Sequence, residues 1–287
     1  MSMSVNTNIG SLNAQRNLNK SQSSLSTSMQ RLSSGLRVNS AKDDAAGLSI
    51  AERMNAQVKG MNVAVRNAND GISLAQTAEG ALATVGDALQ RMRELAVQSS
   101  NSTNSNSDKD SLDKEFGELA KEIQRVLGGT TFNGKAILGT DAGSLTFQVG
   151  ANTTTNDSIS ITTSNMTSLA SITTIAGTDN AGTSRAKIDS TADATAIATV
   201  IDNIDTAIDA VNSERATMGA SQNRFDAVIS NLQSSVENQS AARSRIMDAD
   251  FASETANMSR AQILQQAGTA MVAQANQLPQ QVLKLLQ

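Results

Sequence analysis

Residues 197–236 read IATVIDNIDTAIDAVNSERATMGASQNRFDAVISNLQSSV, and a single stripe of positions recurs in them at alternating spacings of four and three residues. The stripe consists of Ile197, Ile201, Ile204, Ile208, Val211, Arg215, Met218, Gln222, Phe225, Ile229, Leu232 and Val236. This heptad spacing places its members on one face of a helix. The stretch therefore predicts one long helix that packs along its length against a partner helix.

Shorter stripes of the same kind lie near both ends of the chain. The N-terminal stripe is Leu25, Met29, Leu32 and Leu36; the C-terminal stripe, which follows a break around 248–250, is Leu264, Ala267, Met271, Ala275, Leu278, Val282 and Leu285. Helices are predicted at about 5–35, 44–100 and 108–127 and again from about 193 onward. We expect the two terminal segments to pair with each other, since each stripe needs a partner.

The middle zone, residues 136–184, breaks with this pattern. It holds 19 Ser or Thr and three charged residues, Asp141, Asp157 and Asp179, and it has no helical stripe. Asn133-Gly134 is a strong hairpin signal, and apolar residues alternate at 145–149 and 159–161. Short strands and turns are predicted, with disorder of 153–157 as the alternative. The predicted fold is mainly α: a long antiparallel helical hairpin or coiled-coil bundle formed by both termini, with a small β-rich central insert.

Composition excludes several classes of protein function. The 287 residues include no His and no Cys, so imidazole bases, thiolate nucleophiles, disulfides and iron–sulfur clusters are excluded. A net charge of −4 disfavours a nucleic-acid binder. No apolar run approaches the roughly 20 residues that a membrane-spanning helix needs. We predict no catalytic residue, no cofactor, no metal site, and no nucleic-acid or membrane partner. Composition alone favours a cytoplasmic location.

Two local patterns have competing interpretations. Asp108, Asp110 and Asp113 resemble part of a calcium loop, but the required glycine and terminal glutamate are missing, so helix capping, with Ser107 or Asp108 as N-cap, is the better explanation. Five glycines interrupt the second predicted helix, Gly47, Gly60, Gly71, Gly80 and Gly86. Each costs about 1 kcal/mol relative to Ala, which favours close helix packing over tolerated drift.

Several motifs, in their order along the chain, resemble those of bacterial flagellin. They are VNTN at 5–8, LSSGLRVNSAKDDAAG at 32–47, LQRMRELAVQ at 89–98, FNG at 132–134 and AQILQQAG at 261–268. The resemblance covers roughly residues 4–135 and 185–287, and the insert between them carries no family signature.

The resemblance implies a layered domain organisation. Residues 1–43 and 241–287 would be the two arms of an inner coiled-coil domain. Residues 44–135, with a β-hairpin, and the returning helix 185–240 would form a second helical layer. Residues 136–184 would be the variable, surface-exposed insert.

The resemblance also implies a function and a set of partners. Subunits would polymerise head-to-tail into the extracellular flagellar filament used for swimming, after unfolded export through the flagellar type III apparatus. A homopolymer, an export chaperone, filament cap and junction proteins and a host Toll-like receptor are the implied partners. The receptor patch would include Arg91 and Leu95, within the 89–98 motif, and Glu115, on a looser match. The terminal stripes would be polymerisation seams.

Three alternatives stay open at this point. The junction protein between hook and filament shares terminal helical arms, although the uninterrupted 91–98 motif favours flagellin. A secreted enzyme carried by the insert would have only Asp141, Asp157 and Asp179 for its chemistry. The many Ser and Thr residues of the insert suit either O-linked modification or simple solubility.

Overall fold

The structure, a computed structural model, describes the backbone of residues 7–285 and the side chains of residues 7–277. The helices are α1 Ile9–Ser34, α2 Ala45–Ser99, α3 Asn106–Gly129, α4 Ala170–Ala176, α5 Ala194–Met247 and α6 Phe251–Leu285. The strands are β1 Thr131–Phe132, β2 Lys135–Ala136, β3 Ser144–Gln148 and β4 Ser158–Thr162, with 3₁₀ turns at Thr155–Asp157 and Met166–Ser168. This arrangement confirms the mainly α fold with a small strand-containing insert.

The chain divides into two compact units. The first contains the described residues of Met1–Val58 and Glu237–Gln287, and the second is Lys59–Val236. The helices α2 and α5 each contribute residues to both units.

The second unit is built around the heptad face of α5. Along 197–236 the predicted stripe alternates between buried and half-buried side chains, and Ile204, Met218 and Phe225 are fully buried. These residues share one hydrophobic core with α2, α3 and the insert; the α2 contribution includes Leu82, Leu89 and Met92. The stripe is confirmed, because its residues are large and no other face of α5 offers comparable apolar area.

The two hairpins of the insert region follow the sequence signals. Asn133 and Gly134, between β1 and β2, have φ of 49° and 79°, which a two-residue turn of the Asn-Gly type requires. The strands β3 and β4 pair antiparallel, with Phe147 opposite Ile159. Phe147 meets Phe225 of α5 edge-on, with ring centroids 5.6 Å apart. The insert is thus anchored to the helical core by aromatic packing.

The insert also contains a helix that the sequence did not predict. Ile172, Ile175 and Ala176 of α4 are fully buried in the core of the second unit. At seven residues the helix is too short to show a periodic stripe, and Thr-rich composition conceals it.

A loop at residues 177–193 is held against α2 and α3 by side chains that bond its backbone and by one ion pair. Asp113 accepts two hydrogen bonds from the Arg185 guanidinium, at 2.6 and 2.8 Å, and a third from the Ile188 N–H at 2.9 Å. The buried Ser99 hydroxyl donates to the Ile188 carbonyl, and Asp110 accepts from the Ser190 N–H. The loop is therefore fixed to the second unit, with Ile188 as its buried side chain.

These contacts correct the capping interpretation of the three aspartates. The N-cap of α3 is Ser105, not Ser107 or Asp108, and Asp108 is its partner in a reciprocal capping box. Asp110 and Asp113 bind the 177–193 loop instead, a pairing across more than seventy residues that local spacing does not reveal.

Close helix packing explains some of the glycines of α2 but does not explain Gly80. A Cβ on Gly71 would lie 2.8–3.1 Å from three atoms of the Phe225 ring, so the absence of a side chain lets α5 approach. Gly80 has no atom within 4 Å of the same point, so close packing does not explain it.

Replacing these two glycines by alanine is expected to have opposite effects. Gly71→Ala displaces the buried Phe225 ring and lowers the free energy of unfolding by about 1–3 kcal/mol. Gly80→Ala gains helix propensity without a clash and raises the free energy of unfolding by up to about 1 kcal/mol. Chemical denaturation of the two variants measures both, and equal effects would contradict the packing described for Gly71.

Removing the Asp113 charge is expected to destabilise the second unit in a pH-dependent way. Burial raises the pKa of the Asp113 carboxyl, but the bonds from Arg185 and the Ile188 N–H and the charges of Arg185 and Lys187 outweigh it and hold that pKa below its ordinary value. Asp113→Asn should cost roughly 2–3 kcal/mol near neutral pH. The difference from wild type is constant above pH about 4 and shrinks as pH falls through the lower pKa of the folded state.

Glu118→Gln is the matched control, because it removes an exposed carboxylate from the same helix. Urea titrations between pH 3 and pH 8 make the comparison. A pH-independent cost for Asp113→Asn, or an equal cost for Glu118→Gln, would refute the buried ion pair as the cause.

Candidate interaction surfaces

The helices α1 and α6 form an antiparallel pair in the first unit. At one end the Asn8 side chain donates to the Ala275 carbonyl at 2.6 Å, and the Ser11 hydroxyl donates to Asn276 at 2.7 Å. At the other end Arg31 lies 3.7 Å from the carboxylate of Glu254, which is buried. Polar contacts at both ends thus fix the register of the pair.

Small and polar side chains dominate the facing surfaces of this pair. The least exposed positions of α1 are Ser11, Ala14, Leu18, Ser21, Leu25, Ser28 and Leu32, and those of α6 are Glu254, Met258, Ala261, Gln265, Gly268, Val272 and Ala275. Both sets follow heptad spacing. A Cβ on Gly268 would lie 3.2 Å from the Leu18 side chain, which shows how closely the two backbones approach.

The pairing of α1 with α6 differs in part from the predicted pairing of the two terminal segments. Leu25, Leu32 and Leu36 are half-buried, as pairing of the terminal segments requires, whereas Met29, Leu264 and Met271 face outward. The α6 face that meets α1 is the Ala261-Gly268-Ala275 stripe, because small residues permit a closer approach than the larger ones. Leu278, Val282 and Leu285 lie outside the residues whose side chains the structure describes.

Eight large apolar side chains are exposed on the outer surface of the first unit. Ile9 is 68% exposed, Ile263 65%, Met271 62% and Met29 55%. The full set with described side chains is Ile9, Leu12, Met29, Ile50, Phe251, Ile263, Leu264 and Met271. Apolar side chains exposed at this density are typical of a surface that another molecule covers.

A groove of about 880 Å³ runs along the α1–α6 pair. Leu264 and Met271 line it from α6, and hydroxyl and amide side chains line it from α1. Its cations are Lys20, Arg31 and Arg260, and Glu254 is the acidic residue that borders it. The groove thus combines apolar contact area with a positive charge excess.

The second candidate surface lies on α2 and α3, where Arg91 and Glu115 meet. Arg91 Nε and Nη2 each lie 2.8 Å from Glu115 Oε1, and Nη1 lies 2.9 Å from Glu94 Oε2. The hydrogen bonds that Arg91 donates to Glu94 and then to Glu115, with the charge of Glu115, raise the pKa of Arg91 above its ordinary value. Two of the three predicted recognition residues are therefore in direct contact.

Leu95, the third predicted residue, has a different environment. It is 1% exposed and belongs to the core of the second unit, so its side chain supports the surface from beneath. The sequence motif did not show this, because burial depends on where α3 and α5 pack.

Neighbouring residues extend this surface beyond those predicted. Gln90, Arg93, Glu94, Val97 and Gln98 line a shallow pocket, and Val97 is half exposed. Arg93 binds Asp205 of α5 through two contacts of 2.6 and 3.2 Å. Each of these α2 residues lies within the 89–98 motif, so the motif was the signal that could have identified them.

The carboxylates of the insert take part in local structure. Asp141 accepts from the Ala136 N–H, Asp157 from the Thr154 N–H, and Asp179 from the N–H groups of Ala181 and Gly182. Among the described residues no group of three or more carboxylates is arranged to hold a metal ion. Within the same part of the chain, each helix is too short or too polar to cross a membrane.

Known proteins that are similar to this chain are bacterial flagellins. The family model of the bacterial flagellin N-terminal helical region matches residues 5–143, and that of the C-terminal helical region matches residues 201–286. Flagellin of Halalkalibacterium halodurans is 45% identical over 284 residues, which are 99% of this chain and 100% of that protein. Flagellin of Xenorhabdus nematophila is 45% identical over 327 positions and 100% of both chains. A crystal structure of Bacillus cereus flagellin is 34% identical and covers 62% of this chain and 94% of that chain, with a TM-score of 0.47.

Proposed function

The chain belongs to the bacterial flagellin family and is a structural subunit of the extracellular flagellar filament, and we propose that copies assemble through the outer surface of its α1–α6 pair. The observation that carries this proposal is the set of large apolar side chains that the pair leaves exposed. The buried side chains between the helices are small or polar, half-buried residues such as Leu18 and Val272 complete the seam, and large apolar side chains such as Ile263 and Met271 lie outside.

Burial between subunits would stabilise such a surface. Each fully buried Leu, Ile, Met or Phe side chain contributes about 1.5–3 kcal/mol, which is available only when another molecule covers it. A surface on one copy that fits a different surface on the next adds subunits head-to-tail without closing a ring. The proposed product is an open helical filament in which the arms 1–43 and 241–287 form the inner layer.

Folding of the arms is proposed to be coupled to assembly. Between α1 and α6 the buried residues are Ser11, Ser28, Glu254, Ala261 and Ala275, which supply little apolar area. Such a pair gains little from folding alone and gains much more when neighbours cover its outer side. Residues 5–36 and 253–287 are therefore proposed to order fully only in the filament.

The route to the filament is also part of the proposal. We infer export in an unfolded state through the flagellar type III apparatus, with a chaperone on the C-terminal arm and growth beneath a filament cap. The absence of Cys supports this route, since disulfides cannot interrupt threading. The alternative, a hook–filament junction protein, would stop at a short ring in a seeding experiment.

A second proposed role is recognition of the free subunit by a host Toll-like receptor at the Arg91–Glu115 surface. Both side chains are about half exposed, and Val97 adds apolar contact area beside them. Leu95 is proposed to act by holding α2 in place. The ion pairs with Glu94 and Glu115 hold the Arg91 guanidinium in one geometry before a partner arrives.

Truncation before Leu264 is expected to leave a soluble subunit that cannot elongate filaments. The deletion removes Leu264, Ala267, Gly268 and Met271 from the lining of the groove but no residue of Lys59–Val236. Far-ultraviolet circular dichroism should show retained helix, and light scattering after seeding should show no growth.

Alanine replacement of the exposed loop residue Thr103 is the control, because it changes a surface position far in sequence from both arms. That variant should elongate like wild type. Normal filaments from the truncated chain would refute the assembly role of α6.

Arg91→Ala is expected to weaken receptor activation by the free subunit while leaving its thermal stability nearly unchanged. The arginine is exposed, so its ion pairs contribute little to folding. Arg125→Ala is the matched control, because Arg125 is also an exposed arginine paired with a glutamate three residues away. A receptor-reporter dose response compares the two, and superimposable curves would remove Arg91 from the recognition surface.

A further inference from the structure

Two methionines of the terminal helices are far more exposed than those of the core. In the second unit, Met92, Met166 and Met218 are at most 1% exposed. In the α1–α6 pair, Met29 and Met271 are more than half exposed. Among the methionines with described side chains, these two present the most accessible thioethers.

We propose that Met29 and Met271 are oxidation sites at which peroxide-class oxidants make the free subunit unable to assemble. The proposal rests on the proposed function, because it assumes that the outer surface of the α1–α6 pair is the assembly interface. It adds a chemical modification and a class of reagent that control this surface.

The chemistry is a two-electron oxygen transfer. The thioether sulfur attacks one oxygen of hydrogen peroxide, the O–O bond breaks and an S=O bond forms. The remaining oxygen leaves as water, so sulfur loses two electrons and the peroxide gains two. Oxidation of this kind follows exposure, so Met29 and Met271 should react before the buried methionines.

Methionine sulfoxide is polar, whereas the surface that carries it is proposed to be buried against apolar side chains. A sulfoxide replaces an apolar, flexible thioether by a polar group whose oxygen requires a hydrogen-bond partner. Met271 lines the groove beside Leu264, and Ile263 and Phe251 supply further apolar area on the same helix. A neighbouring subunit would have to bury the sulfoxide among such residues, which opposes assembly.

Assembly is expected to protect Met29 and Met271 from oxidation by peroxide. Once a neighbouring subunit covers Met29 and Met271, peroxide no longer reaches their sulfur atoms. The modification therefore discriminates between free subunits, which it disables, and incorporated subunits, which it spares.

The first test needs no variant. Full-length monomer is treated with hydrogen peroxide until about half of the molecules carry one added oxygen, and is then elongated from seeds. Peptide mass spectrometry compares the pellet with the supernatant. Sulfoxide at Met29 and Met271 should form on the order of tenfold faster than at Met92, Met166 or Met218, and should be enriched in the supernatant.

The second test uses substitutions of similar volume. The double variant Met29→Leu/Met271→Leu should elongate at the wild-type rate before peroxide treatment and should lose much less of that rate than wild type after it. Met218→Leu, the control at a buried methionine, should lose elongation after peroxide as wild type does. Treatment of oxidised wild type with methionine sulfoxide reductases and a thiol reductant should restore elongation.

The outcomes separate this inference from the proposed function. Equal sulfoxide content in pellet and supernatant, or equal peroxide sensitivity of the double variant and wild type, overturns the oxidation proposal while assembly stands. Failure of untreated wild type to elongate at all would instead overturn the proposed function.

Discussion

The close approach of α1 and α6 is the constraint on which the first unit depends. Ala261, Gly268 and Ala275 recur every seven residues and bring the two backbones together, with Leu18 directly against Gly268. The buried positions of this seam are small or polar, and Ile263, Leu264 and Met271 lie outside it and are exposed. The pair therefore leaves apolar side chains exposed, and in the proposed assembly other subunits cover them.

The second unit differs from the first, because its large apolar residues point into a core. The α5 stripe packs on α2, Phe147 of the insert meets Phe225, and Asp113 binds Arg185 of the 177–193 loop. A unit with a closed core and an ion-paired loop is a stable platform for exposed side chains such as Arg91. The chain thus combines a unit with a closed core and a unit that the proposed assembly would complete.

The sequence predicted those features that large residues in regular spacing determine. The forty-residue stripe of α5, the Asn133-Gly134 turn and the β3–β4 hairpin all depend on local pattern, and all are present. Hydrophobicity placed Leu264 and Met271 in the predicted α6 stripe, whereas the contact with α1 centres on Ala261, Gly268 and Ala275. The role of Leu264 and Met271 in polymerisation stays a prediction. The Asp113–Arg185 pair and the burial of Leu95 depend on tertiary packing between distant segments, and α4 is too short to show a period.

Residue-resolved hydroxyl-radical labelling of Phe251, Ile263 and Leu264 in monomer and in filament determines whether the outer surface of the α1–α6 pair is the assembly interface. These side chains are outward on α6, so they should label readily in the monomer and become strongly protected in the filament. The exposed Val63, on α2, provides an internal reference in the same sample. Labelling of the three α6 residues that is unchanged by polymerisation would contradict the account, because the outer surface of the α1–α6 pair would then not be the assembly interface.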